Sequence, residues 1–301
     1  MYHMKRLISA NTSEILAMNA AELKQSIKAS EGRVILSENV APRESFIGDI
    51  TNAEIARAFG ADMILLNCVD VLNPEIFGLE HDRDNFVSEL HRLTGRPIGV
   101  NLEPVDTEAQ MLEDRLDIPV GRQLNTETAK RLDELGFDFV CLTGNPGTGV
   151  TNEQIEAAVR LTKELFSGLV IAGKMHAAGS DEPVADINTA RKFVEAGADI
   201  ILVPAVGTVP GFDEADLKEV VKEVHRAGGL VLSAIGTSQE SSDTDTIKDI
   251  AIRNKICGVD IQHIGDAGYG GVAPVENILA ISKAVRGVRH TVSVIARSVN
   301  R

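Results

Sequence analysis

The chain is poor in cysteine, short of positive charge and lacks any long apolar run. Its 301 residues hold only Cys68, Cys141 and Cys257, far apart and each inside an apolar stretch. That pattern excludes a disulfide framework and reads as buried thiols in a reducing compartment. Thirty Lys and Arg stand against 44 Asp and Glu, a formal net charge of -14. Nucleic acid is therefore not an expected partner, because neutralising phosphates in bulk needs a basic surface. One small anionic ligand is still allowed, since local donors suffice for it. A transmembrane helix needs about 18 or more consecutive apolar residues, and no such run exists, so no membrane span is expected. The opening MYHMKRLISANTSEIL has no long apolar core of the kind a secretory signal carries. A cytoplasmic location is the expectation, with Met4 read as the natural start.

What is present is ordinary for a globular protein: 44% hydrophobic and 25% charged residues, enough chain to bury a large core. A short signature recurs, in which a helical pattern ends in Gly, usually then Asp, before an apolar run. It is written AFGADMILLN, ELGFDFVCLT, EAGADIILVP, RAGGLVLSAIG and ICGVDIQHIG. Glycine suits the left-handed residue that ends a helix. The runs are too short for helices, rich in Val, Ile and Leu, and do not alternate, as expected of parallel strands buried on both faces. Filling the gaps predicts eight strands: RVILSEN, DMILLNCV, PIGVNLEP, DFVCLTG, LVIAGK, DIILVPA, LVLSAIG and VDIQHIG. Amphipathic stretches separate them, one opening with the capped start Thr151-Asn152-Glu153. The expected fold is a single (β/α)8 barrel, with residues 1–32 a helical cap, 33–286 the barrel and 287–301 a tail. An open dinucleotide-binding sheet is disfavoured: SENVAPRES follows strand 1 where Gly-x-Gly-x-x-Gly would stand.

In such a barrel the site lies at the C-terminal ends of the strands. Those ends are polar here: Ser37-Glu38-Asn39, Asn67-Cys68-Val69-Asp70, Asn101-Leu102-Glu103, Thr143-Gly144-Asn145, Lys174-Met175-His176, Ser233 and Gln262-His263. A ring of such groups is costly unless wet or occupied. Asn67, Asn101, Asn145, Ser233 and Gln262 are candidate substrate-binding residues. Lys174 is a candidate for a Schiff base, or for a cation paired with Glu38 or Glu103. Glu38 or Glu103 would serve as a base and His176 or His263 as an acid. The same set can be read for a metal, with Glu38, Asp70 and Glu103 as oxygen ligands for a loosely held Mg²⁺. No His-x-His, Glu-x-x-His or Cys-x-x-Cys motif supports zinc.

Two glycine-bearing loops follow strands 7 and 8, where many barrels hold a phosphate. Gly236-Thr237-Ser238 lies in the first. Gly268, Gly270 and Gly271 lie in the second, QHIGDAGYGG. Exposed backbone N–H groups there are expected to grip a phosphate; a lid is the alternative. Thr143-Gly144-Asn145-Pro146-Gly147-Thr148-Gly149 offers a second anion cradle or a lid. Asp243-Thr244-Asp245-Thr246-Ile247 matches the nucleophile loop of haloacid-dehalogenase-type phosphatases, but it follows a Ser-rich loop rather than a strand. It reads as a helix start.

The loops AIGTS and GDAGYGG, with the repeated βα signature from Arg33 to about Arg286, make the chain similar to phosphate-binding TIM-barrel enzymes in the broad sense. It also resembles an uncharacterised bacterial barrel family sometimes labelled phosphonomutase-like or dehalogenase-like. The phosphoenolpyruvate mutase and isocitrate lyase pattern is not met, because Asn101-Leu102-Glu103-Pro104 stands where an aspartate-rich metal segment belongs. The resemblance implies an enzyme acting on a small sugar phosphate or keto-acid phosphate, as an aldolase-like lyase or an isomerase. No cofactor is required by this reading and Mg²⁺ is compatible with it. A Mg²⁺-dependent lyase or hydrolase and a non-catalytic metabolite sensor are the rival expectations. A homo-oligomer is allowed.

Overall fold

The computed structural model describes residues 5–80, 82–111, 114–177 and 184–301, which leaves Met4 outside the described residues. Eight parallel strands close into a barrel in sequence order: β1 (Val34–Val40), β2 (Met63–Asn67), β3 (Ile98–Leu102), β4 (Phe139–Leu142), β5 (Leu169–Gly173), β6 (Ile200–Pro204), β7 (Leu230–Ile235) and β8 (Ile261–Ile264). β8 pairs with β1 through Leu36 opposite His263, which closes the ring. All eight expected strands are present.

The recurrent Gly-x-Asp has a physical reason. Gly136, Gly197 and Gly258 end helices in the left-handed conformation, and Gly60 also has a positive φ of 111°. Asp62, Asp138, Asp199 and Asp260 then stand before β2, β4, β6 and β8. Each donates its backbone N–H to a carbonyl on the preceding strand, at Ile35, Ile98, Val170 and Val231. Each carboxylate accepts the N–H of that same residue, at 2.8, 2.8, 3.1 and 2.8 Å. A basic side chain covers each: Arg286 on Asp62, His91 on Asp138, Lys24 and Lys163 on Asp199, His225 on Asp260. The Asp therefore appears only at every second strand, and the odd strands are entered by other sequences.

Alternation along the strands divides two apolar layers. Val34, Leu36, Met63, Leu65, Phe139, Cys141, Leu169, Ile171, Leu230 and Leu232 belong to the cluster inside the barrel. Ile35, Ile64, Leu66, Val100, Val140, Val170, Ala172, Val231 and Ile264 face the helices. Gly99 leaves room for the Phe139 ring, which a Cβ at 99 would meet at 2.2 Å. Leu7, Ile8 and Ile15, with Leu23 and Ile27 of the helix Ala20–Lys28, complete the inner cluster from the N-terminal side. They plug the barrel floor.

The outer helices include Asn52–Ala58, Phe86–Thr94, Thr126–Leu135, Asn152–Leu165, Ile187–Ala196, Glu214–Arg226, Thr244–Cys257 and Val275–Ala296. Thr151 caps Asn152–Leu165, its side chain accepting from the Gln154 N–H. Asp243 caps Thr244–Cys257 through the N–H groups of Asp245 and Thr246, so the dehalogenase-like string is a helix start. The stretch after residue 286, expected as a tail, is helical to Ala296 with a break at Gly287. It buries Val294 in the floor cluster, and Arg297 Nη1 donates to Asn11 Oδ1 at 2.6 Å. No helix among the described residues is long and apolar enough to cross a membrane.

Candidate active site

On β1 to β4 and on β8 the inward phase continues past the apolar layers and turns polar at the mouth. Glu38 follows Leu36, Asn67 follows Leu65, Asn101 and Glu103 follow Gly99, Thr143 follows Cys141, and His263 follows Ile261. All are buried. Two hydrogen-bonded groups result. In the first, Glu38 accepts from Asn101 Nδ2 at 2.5 Å and pairs with His263 Nε2 at 2.9 Å. In the second, Asn67 Nδ2 donates to Asp266 Oδ2 at 2.8 Å and to Asn145 Oδ1 at 3.0 Å. Asn145 Nδ2 donates in turn to Glu103 Oε1 at 2.8 Å, which also takes Arg122 Nη2 at 2.9 Å. Glu38, Asn67, Asn101, Thr143, Asn145, His176, Thr237, Ser238, Glu240 and Asp266 are among the residues lining one cavity with room for about 140 Å³ of solvent. That volume takes the end of a small metabolite, not a polymer.

The electrostatics at this mouth are set by burial among acids. Burial first, then the charge of Glu38, pushes Asp266 up to about 7, against the opposing Asn67 hydrogen bond. Burial also raises Glu240, whose Oε1 accepts the Ala267 N–H at 3.0 Å. Burial lowers His176 below the ordinary histidine value, ahead of an opposing pull from Glu38. Cys68, beside Asn67, is raised by burial, which makes it a poor nucleophile.

Several residues expected at the mouth lie elsewhere. Lys174 follows the end of β5, and its buried Nζ donates to the Val150 carbonyl at 3.2 Å. It is not among the cavity-lining residues, whereas Met175 and His176 are. Gly173, with φ 148°, packs against the Leu202 backbone at the end of β5. Ser233 and Gln262 are register partners on the outer phase, with Val231 and Ile264, so they do not face the barrel interior. Asp70 is used in a turn, accepting the N–H groups of Leu72 and Asn73, and Gly121 packs directly on its carboxylate. It does not join Glu38 and Glu103. Among the described residues no three His, Cys, Asp or Glu side chains stand close enough to share a metal ion.

The glycines after β8 have a different reason from the one expected. A Cβ at Gly270 (φ 74°) would sit 2.7 Å from the Phe46 nitrogen, and one at Gly268 would sit 1.9 Å from the Val272 carbonyl oxygen. A Cβ at Gly271 would press on Val40 and Arg43. Side chains are absent because the loop folds onto the segment after β1 and onto itself. Gly268 N–H already donates to Asp266 O, and Gly271 N–H to Gly268 O. The turn after β7 differs. Gly236 gives space to Met175, and Thr237 and Ser238 are both left-handed, at φ 57° and 66°. No hydrogen bond within the protein uses their backbone N–H groups among the described residues. In the loop after β4, Asn145 N–H is taken by Glu103 Oε2 at 2.9 Å.

Asp266, Glu240 and Arg122 were not singled out from the sequence. Asp266 sits inside the glycine-rich string that drew attention for its glycines alone. Glu240 lies in a Ser-rich turn (SQESS), and Arg122 comes back to the mouth from a long excursion after β3. No local pattern marks any of them.

Fold and mouth together define a TIM barrel with an acid-rich, hydrogen-bonded rim. The chain belongs to the family described as "Domain of unknown function (DUF7916)", whose model matches residues 8–301. No curated protein matches the sequence. Among solved structures, the chain is similar to 2,3-dimethylmalate lyase, a PEP mutase/isocitrate lyase superfamily member. Identity is 12% and the TM-score 0.52, over 83% of this chain and 81% of that one. It is similar also to the carboxyl transferase domain of Rhizobium etli pyruvate carboxylase with pyruvate, at 15% identity and a TM-score of 0.52. That match covers 98% of this chain and 53% of the other, so the chain spans about half of it. A thiamine phosphate pyrophosphorylase from Pyrococcus furiosus matches at 14% identity and a TM-score of 0.48, over 85% of this chain and 97% of that one. At such identities the likeness establishes a shared barrel and nothing about chemistry.

Proposed function

We propose that this barrel is an enzyme that cleaves a carbon–carbon bond in, or isomerises, a small phosphorylated carbonyl compound by acid–base catalysis. The observation that carries this reading is a pair of carboxyl groups in one cavity with opposite surroundings. Glu38 accepts hydrogen bonds from Asn101 and His263, which orient its carboxylate as a base. Asp266 is held partly protonated near neutrality by burial and by Glu38, so it can donate a proton to a developing oxyanion. Glu38 would take the proton from carbon or from a hydroxyl, and Asp266 would deliver one to the carbonyl oxygen. The unused N–H groups of Thr237 and Ser238 are the best-placed donors for a phosphate. Lys174 has no part in this chemistry, and among the described residues no three carboxylate, thiol or imidazole groups gather around one point.

The test is proton exchange. The protein is incubated in D₂O with a panel of small phosphorylated aldehydes, ketones and keto acids, and followed by NMR. At least one compound should be cleaved, isomerised or deuterated next to its carbonyl. Glu38→Gln should lower that rate by roughly a hundredfold or more, the usual scale for a general base. A compound that protects the protein from heat yet returns unchanged and unlabelled would make this barrel a sensor. No protection and no exchange across the panel, with or without Mg²⁺, would remove the reading.

A further inference from the structure

The polar atoms of the cavity are sorted by hydrogen-bonding sense, and the sorting bears on the substrate. Asn101 is 4% exposed and gives its Nδ2 to Glu38, which fixes the amide orientation and leaves its buried Oδ1 without a partner. Glu240 is 3% exposed; its Oε1 takes the Ala267 N–H and its Oε2 has no partner. Gly265 makes room for that carboxylate, since a Cβ there would lie 2.5 Å from Glu240 Oε1. Thr143 is 2% exposed with an unpartnered hydroxyl. Two of these three orphan atoms are acceptors and the third can act as one. Glu38, in the same cavity, adds carboxylate oxygens. Free donors at the cavity include Thr237 N–H and Ser238 N–H, in the turn after β7.

Buried acceptors without donors cost free energy that a ligand bringing donors would recover. A ligand carboxylate would bring only more acceptors and more negative charge to the same place. A divalent cation would also satisfy acceptors, but among the described residues no three acidic or imidazole groups converge on one. The geometry points to a polyhydroxylated phosphate ester as the substrate class, with its hydroxyls donating to Asn101 Oδ1, Glu240 Oε2 and Thr143 Oγ1 and its phosphate on the Thr237–Ser238 turn. This rests on the function proposed above and narrows it from sugar phosphates or keto-acid phosphates to the former.

The experiment compares ligands matched in size. Thermal protection of the full chain is titrated with erythrose 4-phosphate and ribose 5-phosphate against 3-phosphoglycerate and phosphoenolpyruvate, each with and without Mg²⁺. Inorganic phosphate, erythritol and erythronate are added as separate arms. The sugar phosphates should protect at concentrations at least tenfold below the acids, and erythritol should protect better than erythronate. Glu240→Gln keeps an oxygen for Ala267 but turns the orphan acceptor into a donor. It should shrink the preference at least tenfold while the protein still responds to inorganic phosphate. Thr143→Val, which removes only a hydroxyl, should shift it in the same direction if the Glu240 variant does not fold. Acids that bind as well as sugars, a preference indifferent to both substitutions, or acids that bind tightly once Mg²⁺ is present would overturn the assignment. If erythritol outperforms erythronate but no phosphate ester binds better than its parent, only the phosphate part of the functional reading fails. If none of these ligands protects, both fail.

Discussion

Replacing Asp266 by Asn separates the cost of a buried acid from everything else at the mouth. Asp266 is raised from an ordinary value of 3.8 to about 7 in the folded chain, chiefly by burial and by Glu38. Between those two values the folded protein holds a proton that the unfolded chain releases. Stability therefore falls as pH rises from about 4 to about 7 and levels off above that. Each unit corresponds to about 1.4 kcal/mol, so the penalty above pH 7 is on the order of 2–4 kcal/mol, allowing for relaxation around the group. The substituted amide would carry no charge and would keep the hydrogen bond from Asn67 Nδ2 through its own oxygen. Asp266→Asn should match the parent in urea denaturation at pH 4, below the raised value, and exceed it by on the order of 2–4 kcal/mol at pH 8. For a chain of this size that is a gain of roughly 3–6 °C in midpoint. Equal stability at pH 8, or a loss there, would refute the argument that this carboxyl is held in an environment hostile to its charge. Activity should move the opposite way, since the proposed acid is gone.

At the floor, Asp62→Asn should cost about 3–5 kcal/mol in chemical denaturation, because it strands the buried Arg286 guanidinium that pairs with it at 2.5 Å. Asp138→Asn, whose partner His91 is partly exposed, should cost clearly less in the same measurement. Borohydride added with a carbonyl substrate should leave no adduct at Lys174, read by peptide mass spectrometry, because its Nζ faces Val150 rather than the cavity.

Much of the fold was legible because it is written in local, repeated form. A parallel barrel strand buried on both faces is a short apolar run wherever it occurs. The left-handed glycine and the Asp before even strands mark its start for reasons that involve only neighbouring strands. Of the site, Glu38, Asn67, Asn101 and Glu103 were legible for a related reason: the end of a barrel strand is at the mouth. Ser233 and Gln262 meet the same criterion of position yet face the helices. A run without alternation does not declare which phase points inward, and a shift of one residue reverses the face.

The sequence by itself determined the eight βα units, their order, the floor-plugging N-terminal segment and the acidic balance of the chain. Each follows from composition or from periodicity over a few residues. Only the tertiary structure decided that Lys174 leaves the cavity and that Asp266, Glu240 and Arg122 enter the mouth. It also decided that the glycines after β8 accommodate the protein's own backbone beside Phe46. These are contacts between loops far apart in the chain, fixed by the closure of the ring. No residue carries in its own neighbourhood a record of which distant segment will be folded against it.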